Sequence, residues 1–214
     1  MKIELRECAL TDGNDILDMI REIGPGENGF INDGYDMKDS DFGYYLARNA
    51  SVSQGVGLAQ GWVPQTRYWL MINGRPVGIG KLRHYLNDNL RKTGGHIGYC
   101  IRPSERGRGL GIILLAEMLK KAGELGIPKA LITCNATNIP SRRVIESNGG
   151  KLEKAVGGEC HYWIKLDEST GIREIHPDDY GEIVELWKRT AGMGLNDADS
   201  EEGIRRFLFR NRGL

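Results

Sequence analysis

A glycine-rich segment near the middle of the chain carries the residue types best suited to binding phosphate. Its residues are Arg106, Gly107, Arg108, Gly109, Leu110 and Gly111. A predicted strand ends just before the segment at I-R-P, and a strongly periodic predicted helix begins inside it. A helix start presents unpaired backbone N–H groups and the positive end of the helix dipole, and glycines let an anion approach the backbone. The segment therefore predicts a phosphate-binding turn.

Two familiar phosphate-binding loops do not fit this sequence. The P-loop requires G-x-x-x-x-G-K-[ST], and the nearest approach, at Gly78–Leu82, lacks both the first glycine's spacing and the hydroxyl. The dinucleotide fingerprint G-x-G-x-x-G would need a third glycine where the chain has Ile112. A tight strand-to-helix turn without a ligand is the plainer alternative. Such a turn needs one glycine, whereas this one has three together with two arginines.

The composition describes a globular chain near charge neutrality. The 214 residues include 29 Lys and Arg against 29 Asp and Glu, so no basic excess favours nucleic acid or an anionic membrane. No stretch approaches the roughly 18 apolar residues of a membrane span, and the first residues do not resemble a signal peptide. The 4 cysteines are isolated and show neither zinc-site nor disulfide spacing. We therefore expect a cytoplasmic protein without a metal site.

Hydrophobic periodicity predicts the order β-α-α-β-β-β-α-β-α-β-β over residues 2–166. Thr11 and Asp12 offer an N-cap to the first helix, and Asn73-Gly74 predicts a tight hairpin between two strands. The most regular helix is predicted from Leu110 to Leu125. Runs of strands combined with single helical crossovers indicate a mixed sheet with helices on its faces.

Residues 168–214 begin with a polar stretch and then repeat the strand, cap and helix order of the start of the chain. The sequence therefore predicts a main domain at 1–167 and a partial segment at 168–214, with one strand and two helices. So short a segment cannot bury a good core alone, and we expect it to pack on the main domain or on a partner. A homodimer in which this segment forms the contact is one form of that expectation.

The pattern R-x-x-G-x-G at 106–111, after a strand ending in I-R-P, resembles the acyl-CoA-binding motif of the GNAT superfamily of N-acetyltransferases. Asn138-x-x-Ser141, after the strand ALITCN, is similar to the family's second cofactor motif. The longer runs GGHIGY and LITCNATNIPSRRVIESNGG resemble a bacterial subgroup of predicted acetyltransferases, and 168–214 resembles the start of a second GNAT domain. The resemblance implies an α/β (α+β) fold with a mixed, mostly antiparallel central sheet and helices on both faces.

The resemblance also implies an activity, namely transfer of an acetyl group from acetyl-CoA to a primary amine of a small molecule or peptide. The amine would attack directly while both substrates are bound. Backbone N–H groups of residues 106–111 would hold the pyrophosphate, with the arginine side chains available to help. Tyr99 and Ile101 would pair with the pantetheine arm, and Asn138 would hydrogen-bond that arm from the far side, beside Ser141. A backbone N–H of the Tyr99 strand would stabilise the thioester oxyanion.

The sequence departs from the family pattern at the catalytic positions. The place of the usual tyrosine, which protonates the leaving thiolate, holds Ile145. The places of the usual acidic base hold Gly94, Gly95 and Thr133. His96 is next to the two glycines, and an imidazole suits the task of accepting an amine proton near neutral pH. A structural, hydrogen-bonded histidine and proton removal through water are the alternatives.

Three further interpretations remain open from the sequence. Cys134 could be a nucleophile, although a buried strand cysteine without a basic partner is usually inert. The acidic, aromatic loop from Glu27 to Asp41 could recognise a cationic amine or could simply be solvated. A CoA-binding module with little catalysis, serving regulation or assembly, is the competing function. Amine-dependent release of CoA would separate that module from an enzyme.

Overall fold

Two antiparallel sheets with a gap between them form the framework of residues 1–166. The computed structural model describes residues 1–166, 180–189 and 200–203. The strands are β1 (Ile3–Glu7), β2 (Gln65–Ile72), β3 (Arg75–Arg83), β4 (Ile97–Ile101), β5 (Lys129–Asn135), β6 (Lys151–Val156) and β7 (Glu159–Lys165). The helices of this range are α1 (Asn14–Ile23), α2 (Phe42–Ser53), α3 (Asp88–Lys92), α4 (Leu110–Glu124) and α5 (Ile139–Ser147). The predicted order is confirmed, and α3 is a short helix that the periodicity did not predict.

The two sheets meet at β4 and β5. The first sheet has the order β1-β2-β3-β4 and the second β5-β7-β6, and every neighbouring pair is antiparallel. Immediately before β4, the backbone N–H of His96 donates to the carbonyl of Leu131 in β5 at 2.7 Å. The N–H of Leu131 donates in turn to Nδ1 of His96 at 2.9 Å. Beyond these two hydrogen bonds, β4 and β5 do not pair with each other, and a gap lies between them.

Helices cover both faces of the first sheet because its strands place alternate side chains on opposite faces. Trp69 and Ile79 pack with α1 and α2 in one core. Leu70 and Leu82 pack with α4 in the other core, which continues under β5 and β7. This arrangement confirms the predicted α/β (α+β) fold with helices on both faces.

The predicted N-cap of α1, at Thr11 and Asp12, is wrong. Gly13 is the N-cap residue and supplies no side-chain cap. The Asp12 carboxylate points inward, where Oδ2 accepts a hydrogen bond from Nε1 of Trp69 at 2.6 Å and Oδ1 lies 2.9 Å from Nη2 of Arg6. A buried indole N–H needs an acceptor, and this need outweighs the capping preference of Asp12. The carboxylate therefore fastens the start of α1 to β1 and β2.

The chain divides into two compact units, residues 1–171 and 172–214. The described part of the second unit includes helix α6 (Tyr180–Arg189). The strand predicted before α6 and most of the helix predicted after it lie outside the described residues, so the likeness to a second domain stays a prediction. Within the described ranges, the structure has no helix with the length and apolar character needed to cross a membrane.

Replacing Asp12 with alanine tests the inward-facing carboxylate. We expect Asp12→Ala to lower the free energy of unfolding by about 2 kcal/mol, because the fully buried Trp69 loses its acceptor. Urea unfolding followed by tryptophan fluorescence measures the change. Asp36→Ala removes an exposed carboxylate and should stay within about 0.5 kcal/mol of the parent protein. Equal effects of the two substitutions would contradict the structural role of Asp12.

Candidate functional site

A cavity of about 1450 Å³ lies in the gap between β4 and β5. One end reaches the turn at 106–111 and the start of α5, and the other end reaches α2, β2 and β3. The predicted site residues on its wall are Tyr99, Ile101, Arg106, Gly107, Gly109, Leu110, Gly111, Asn138 and Ser141. Two predicted residues, Arg108 and His96, are not part of the wall. The gap thus brings together most of the predicted cofactor residues, which come from three separate elements.

The turn before α4 presents a row of free backbone donors to this cavity. Gly107 and Gly109 both have φ of 74°, a left-handed conformation that glycine adopts at little cost. Gly109 caps α4, so the positive end of the helix dipole points toward the turn. Within the described part of the chain, the N–H groups of residues 107–111 have no acceptor. This geometry is suited to an anion such as a pyrophosphate.

The arginine side chains of the turn are already engaged, which differs from the expectation that they are available to help. Nη1 of Arg106 lies 2.7 Å from a carboxylate oxygen of Glu27, and its Nε donates to the carbonyl of Ile101 at 3.0 Å. Arg108 forms an ion pair with the buried carboxylate of Glu105. The backbone N–H groups, rather than the guanidinium groups, are therefore the uncommitted anion donors of this turn.

Tyr99 and Ser141 form a polar contact across the gap. The hydroxyl of Tyr99 lies 2.9 Å from Oγ of Ser141, which joins β4 to the first turn of α5. Asn138 caps α5, because its Oδ1 accepts a hydrogen bond from the N–H of Ser141 at 3.2 Å. Burial raises the pKa of the Tyr99 phenol, so its hydroxyl is protonated near neutral pH and serves as a hydrogen-bond donor at the cavity. Sequence reasoning placed only the backbone of Tyr99 at the site.

His96 has a structural position in this fold. Its Nδ1 accepts the hydrogen bond from Leu131, and the residue is buried away from the cavity wall. Burial, with Arg91 and Arg83 as lesser causes, lowers the pKa of His96 to about 4. The imidazole is therefore neutral at physiological pH and occupied in holding the two sheets together. This geometry favours the structural interpretation of His96 over that of a catalytic base.

Two other positions considered from the sequence also lack reactive groups. Ile145 is fully buried in the core, so no side chain from that position of α5 reaches the cavity. Cys134 does line the cavity, but burial, helped by Cys160, raises the pKa of its thiol to about 11. The thiolate that nucleophilic attack requires is therefore scarce at neutral pH.

A basic cluster at the far end of the cavity was not predicted from the sequence. Arg67 of β2 and Lys81 of β3 lie opposite each other in register, and their side chains are only 2% and 11% exposed. Asp33 lies between them, with Oδ1 at 2.8 Å from Nη2 of Arg67 and 3.5 Å from Nζ of Lys81. Oδ2 of Asp33 is 3.6 Å from Nη1 of Arg48. The local signal was a charged residue at a buried position of each strand, next to mostly apolar neighbours.

The acidic loop does not offer free carboxylates to the cavity. Of its acidic residues, Glu27 and Asp33 line the cavity, and both are paired with arginines. Asp39 pairs with Arg21 at 2.5 Å. Recognition of a cationic amine by this loop is therefore not favoured, because its two carboxylates at the cavity are already neutralised. Among the described residues, no group of three metal-ligating side chains comes together.

The sequence matches the model of one protein family, described as the acetyltransferase (GNAT) domain, over residues 36–151. This range includes the basic cluster except Asp33, the turn at 106–111 and the whole of α5. A comparison with curated proteins finds no match.

Solved structures share this fold at low sequence identity. A GNAT-family acetyltransferase from Streptococcus pneumoniae is 16% identical with a TM-score of 0.54, covering 77% of this chain and 99% of its own. A ribosomal-protein alpha-N-acetyltransferase, RimL, solved with coenzyme A, is 16% identical with a TM-score of 0.60, covering 79% and 97%. The N-acetyltransferase PseH from Campylobacter jejuni, solved with acetyl coenzyme A, is 14% identical with a TM-score of 0.52, covering 78% and 100%. These likenesses establish the fold.

The buried position of Lys81 predicts a pH-dependent stability. Burial, and then the charge of Arg67, lower the pKa of Lys81 from about 10.5 to about 7. Above pH 7 the unfolded chain therefore binds more protons at this residue than the folded chain, and stability rises with pH. We expect the free energy of unfolding to rise between about pH 7 and pH 8.5, by up to about 1 kcal/mol per pH unit.

Urea titrations of the parent protein and Lys81→Met at both ends of this pH range check the prediction. Lys81→Met should remove the rise of unfolding free energy with pH. Lys38→Met, which changes an exposed lysine of the loop that carries Asp33, should retain it. A slope that survives in Lys81→Met would show that another group titrates.

Proposed function

Because this chain belongs to the GNAT acetyltransferase family and is an acyltransferase, we propose that it transfers an acetyl group from acetyl-CoA to a primary amine. The observation that carries the proposal is the row of unpaired N–H groups at residues 107–111, which opens onto the gap between β4 and β5. A long ligand with a pyrophosphate at one end and a reactive thioester at the other suits such a turn at the end of an elongated cavity.

The proposed binding mode uses both sides of the gap. The N–H groups of 107–111 hold the pyrophosphate, and the open edge of β4 at Tyr99 and Ile101 lies along the pantetheine arm. Asn138 and Ser141 of α5 contact the arm from the opposite side. Since Arg106 already donates to the carbonyl of Ile101, binding along this edge requires Arg106 to share or release that acceptor.

The proposed reaction is a direct displacement. The thioester of acetyl-CoA supplies an activated acyl carbon. The amine nitrogen forms a C–N bond to this carbon, the C–S bond breaks, and the proton from the amine leaves through water. Backbone N–H groups of β4 stabilise the oxyanion, a contribution of about 3 kcal/mol in comparable sites. His96 is not the proposed base, because its Nδ1 already accepts a hydrogen bond from Leu131 and its pKa is lowered to about 4.

Tyr99 is our proposed acid for the leaving thiolate. Its hydroxyl lies at the cavity and contacts Ser141, one helical turn before the buried Ile145. The phenol carries a proton at neutral pH already at its usual pKa of about 10, and the developing thiolate is the base that accepts it. Burial raises this pKa, so the transfer depends on the charge that develops on sulfur. Tyr99 would thus fill, from β4, the role that Ile145 leaves vacant on α5.

Binding of acetyl-CoA tests the turn. Gly109→Val places a branched side chain where the anion must approach the backbone, so we expect acetyl-CoA affinity measured by calorimetry to fall by about tenfold or more. Gly149→Val is the matched control, because Gly149 has φ of 81° with open space around it and lies away from the cavity wall. The control carries similar backbone strain and should bind normally. Equal affinities in the two variants would contradict the proposed turn.

Turnover tests the acid. Tyr99→Phe removes only the hydroxyl, so we expect kcat for amine-dependent thiol release to fall by about tenfold or more while acetyl-CoA affinity is retained. Tyr44→Phe changes an exposed tyrosine and should leave kcat unchanged. An unaltered kcat in Tyr99→Phe would exclude the proposed role. If acetyl-CoA binds and no amine releases CoA from the parent protein, the alternative of a CoA-binding module is favoured instead.

A further inference from the structure

The end of the cavity opposite the turn carries an excess of positive charge. From this we propose that the acceptor is an amine that also bears a carboxylate, which binds between Arg48 and Arg67. The inference rests on the proposed acetyltransferase function and names its acceptor class. Four basic side chains line this end, and Asp33 is the carboxylate among them. The four are Arg48, Arg67, Lys81 and Arg83.

The charges at this end do not balance. Asp33 contacts three cations. Burial raises the pKa of its carboxyl, but Arg67 and Lys81 together lower it to about 2. Arg83 donates to the carbonyls of Gly94 and Gly95, at 2.9 Å and 3.0 Å, and has no carboxylate partner among the described residues. Burial lowers the pKa of Lys81, and the charges of Arg67 and Arg83 lower it further against the effect of Asp33. A second carboxylate at this site would compensate the excess.

None of the other carboxylates on the cavity wall forms an ion pair with Arg48, Arg67, Lys81 or Arg83 among the described residues. Glu27 pairs with Arg106. Glu105 pairs with Arg75 at 3.1 Å and with Arg108. Glu159 accepts a hydrogen bond from Oγ1 of Thr93 at 2.9 Å. A carboxylate of a bound molecule would therefore add negative charge that this end lacks.

Arg67 has an unused donor at this place. Its Nη1 donates to the hydroxyl of Tyr45 and its Nη2 to Asp33, whereas its buried Nε has no partner within the described residues. A buried N–H without an acceptor is costly. This Nε has almost no accessible surface, so a bound carboxylate would act on Arg67 through its charge rather than through this N–H. Arg48 is 45% exposed and lies over the ring of Trp62 at 5.9 Å, which orients its guanidinium beside the cavity. The planar fork of arginine matches a carboxylate well.

The strand register connects this site to the reaction centre. Arg67 pairs with Lys81, and Lys81 pairs with Gly98 of β4. Direct partners in antiparallel strands have side chains on the same face, so these three positions form a row across the sheet. Two strand spacings amount to about 10 Å between the backbones of β2 and β4. A carboxylate held near Arg67 therefore lies on the same face of the sheet as Gly98 of β4.

The apolar wall of the same end suits the body of such a molecule. Val52 of α2 and Val63 before β2 are buried side chains that line the cavity, and the half-exposed Trp62 adjoins them. The ring of Phe30 lies over Gly98, where a Cβ would be 3.7 Å from Cδ2 of the ring, so it extends the apolar wall to β4. The end thus combines an anion site with an apolar wall that reaches β4.

Matched pairs of amines that differ only in the carboxylate test the inference. Suitable pairs are phenylalanine with phenethylamine and leucine with isoamylamine, assayed by thiol release from acetyl-CoA. We expect kcat/KM to be higher for the member with the carboxylate, by about tenfold to a hundredfold, as charge-assisted hydrogen bonds imply. Phosphoethanolamine and ethanolamine form a third pair, which differs in a phosphate instead of a carboxylate. A larger kcat/KM ratio in that pair than in the carboxylate pairs would overturn the assignment of a carboxylate.

Variants at Arg48 locate the effect. Arg48→Met should raise KM for phenylalanine by about tenfold or more, leave phenethylamine unchanged, and therefore abolish the preference. Arg48→Lys should restore part of it, since the charge returns without the fork. Arg21→Met, at an arginine that pairs with Asp39 outside the cavity wall, is the control and should retain the full preference. Thermal melting of each variant verifies folding.

The outcomes separate this inference from the proposed function. If acetyl-CoA binds and amines are acetylated without a preference for the carboxylate, the inference is overturned and the acetyltransferase function stands. If no amine releases CoA, calorimetry of the same pairs with the CoA-loaded protein still measures the preference. Equal affinity for both members, or no binding of either, overturns the inference. Failure to bind acetyl-CoA at all overturns the proposed function first.

Discussion

The paired hydrogen bonds between His96 and Leu131 are the constraint on which the site depends. They join the two sheets at one end, and the strands diverge beyond them. An open strand edge leaves backbone donors and acceptors that must find water or a ligand. Burial lowers the pKa of His96, so its imidazole stays neutral well below physiological pH. The two hydrogen bonds between His96 and Leu131 are therefore kept over the pH range in which amines react. The gap beyond these hydrogen bonds has the open strand edge and the length that an extended ligand needs.

Electrostatics divides the cavity into two different ends. At the turn before α4, carboxylates neutralise the arginine side chains and leave the backbone as the anion donor. At the far end the positive charges are in excess, since the single carboxylate of Asp33 contacts Arg48, Arg67 and Lys81. Keeping cations such as Arg67 and Lys81 buried is unfavourable for folding, because desolvation opposes their charged forms. The sequence retains them at buried positions of two strands, which is typical of a binding site rather than of a core.

The sequence predicted the parts of this molecule that are encoded locally. The hairpin at Asn73-Gly74, the turn at 106–111 and the helix after it depend on residues close together in the chain, and the structure has all three. The inward turn of Asp12 could not be predicted, because its partner Trp69 is distant in sequence. The basic cluster was missed for the same reason, since Asp33 meets cations from α2, β2 and β3. Contacts between distant elements need the fold before they can be seen.

One short stretch of chain connects the two ends of the cavity. Glu27 reaches Arg106 at the turn, and Asp33, six positions later, reaches Arg67 at the far end. A ligand that draws on Arg106 therefore pulls on the same stretch that a ligand beside Arg67 rests against. Any coupling between the two ends that passes through residues 27–33 is reciprocal, because linkage changes the affinity of each ligand for its site by the same factor.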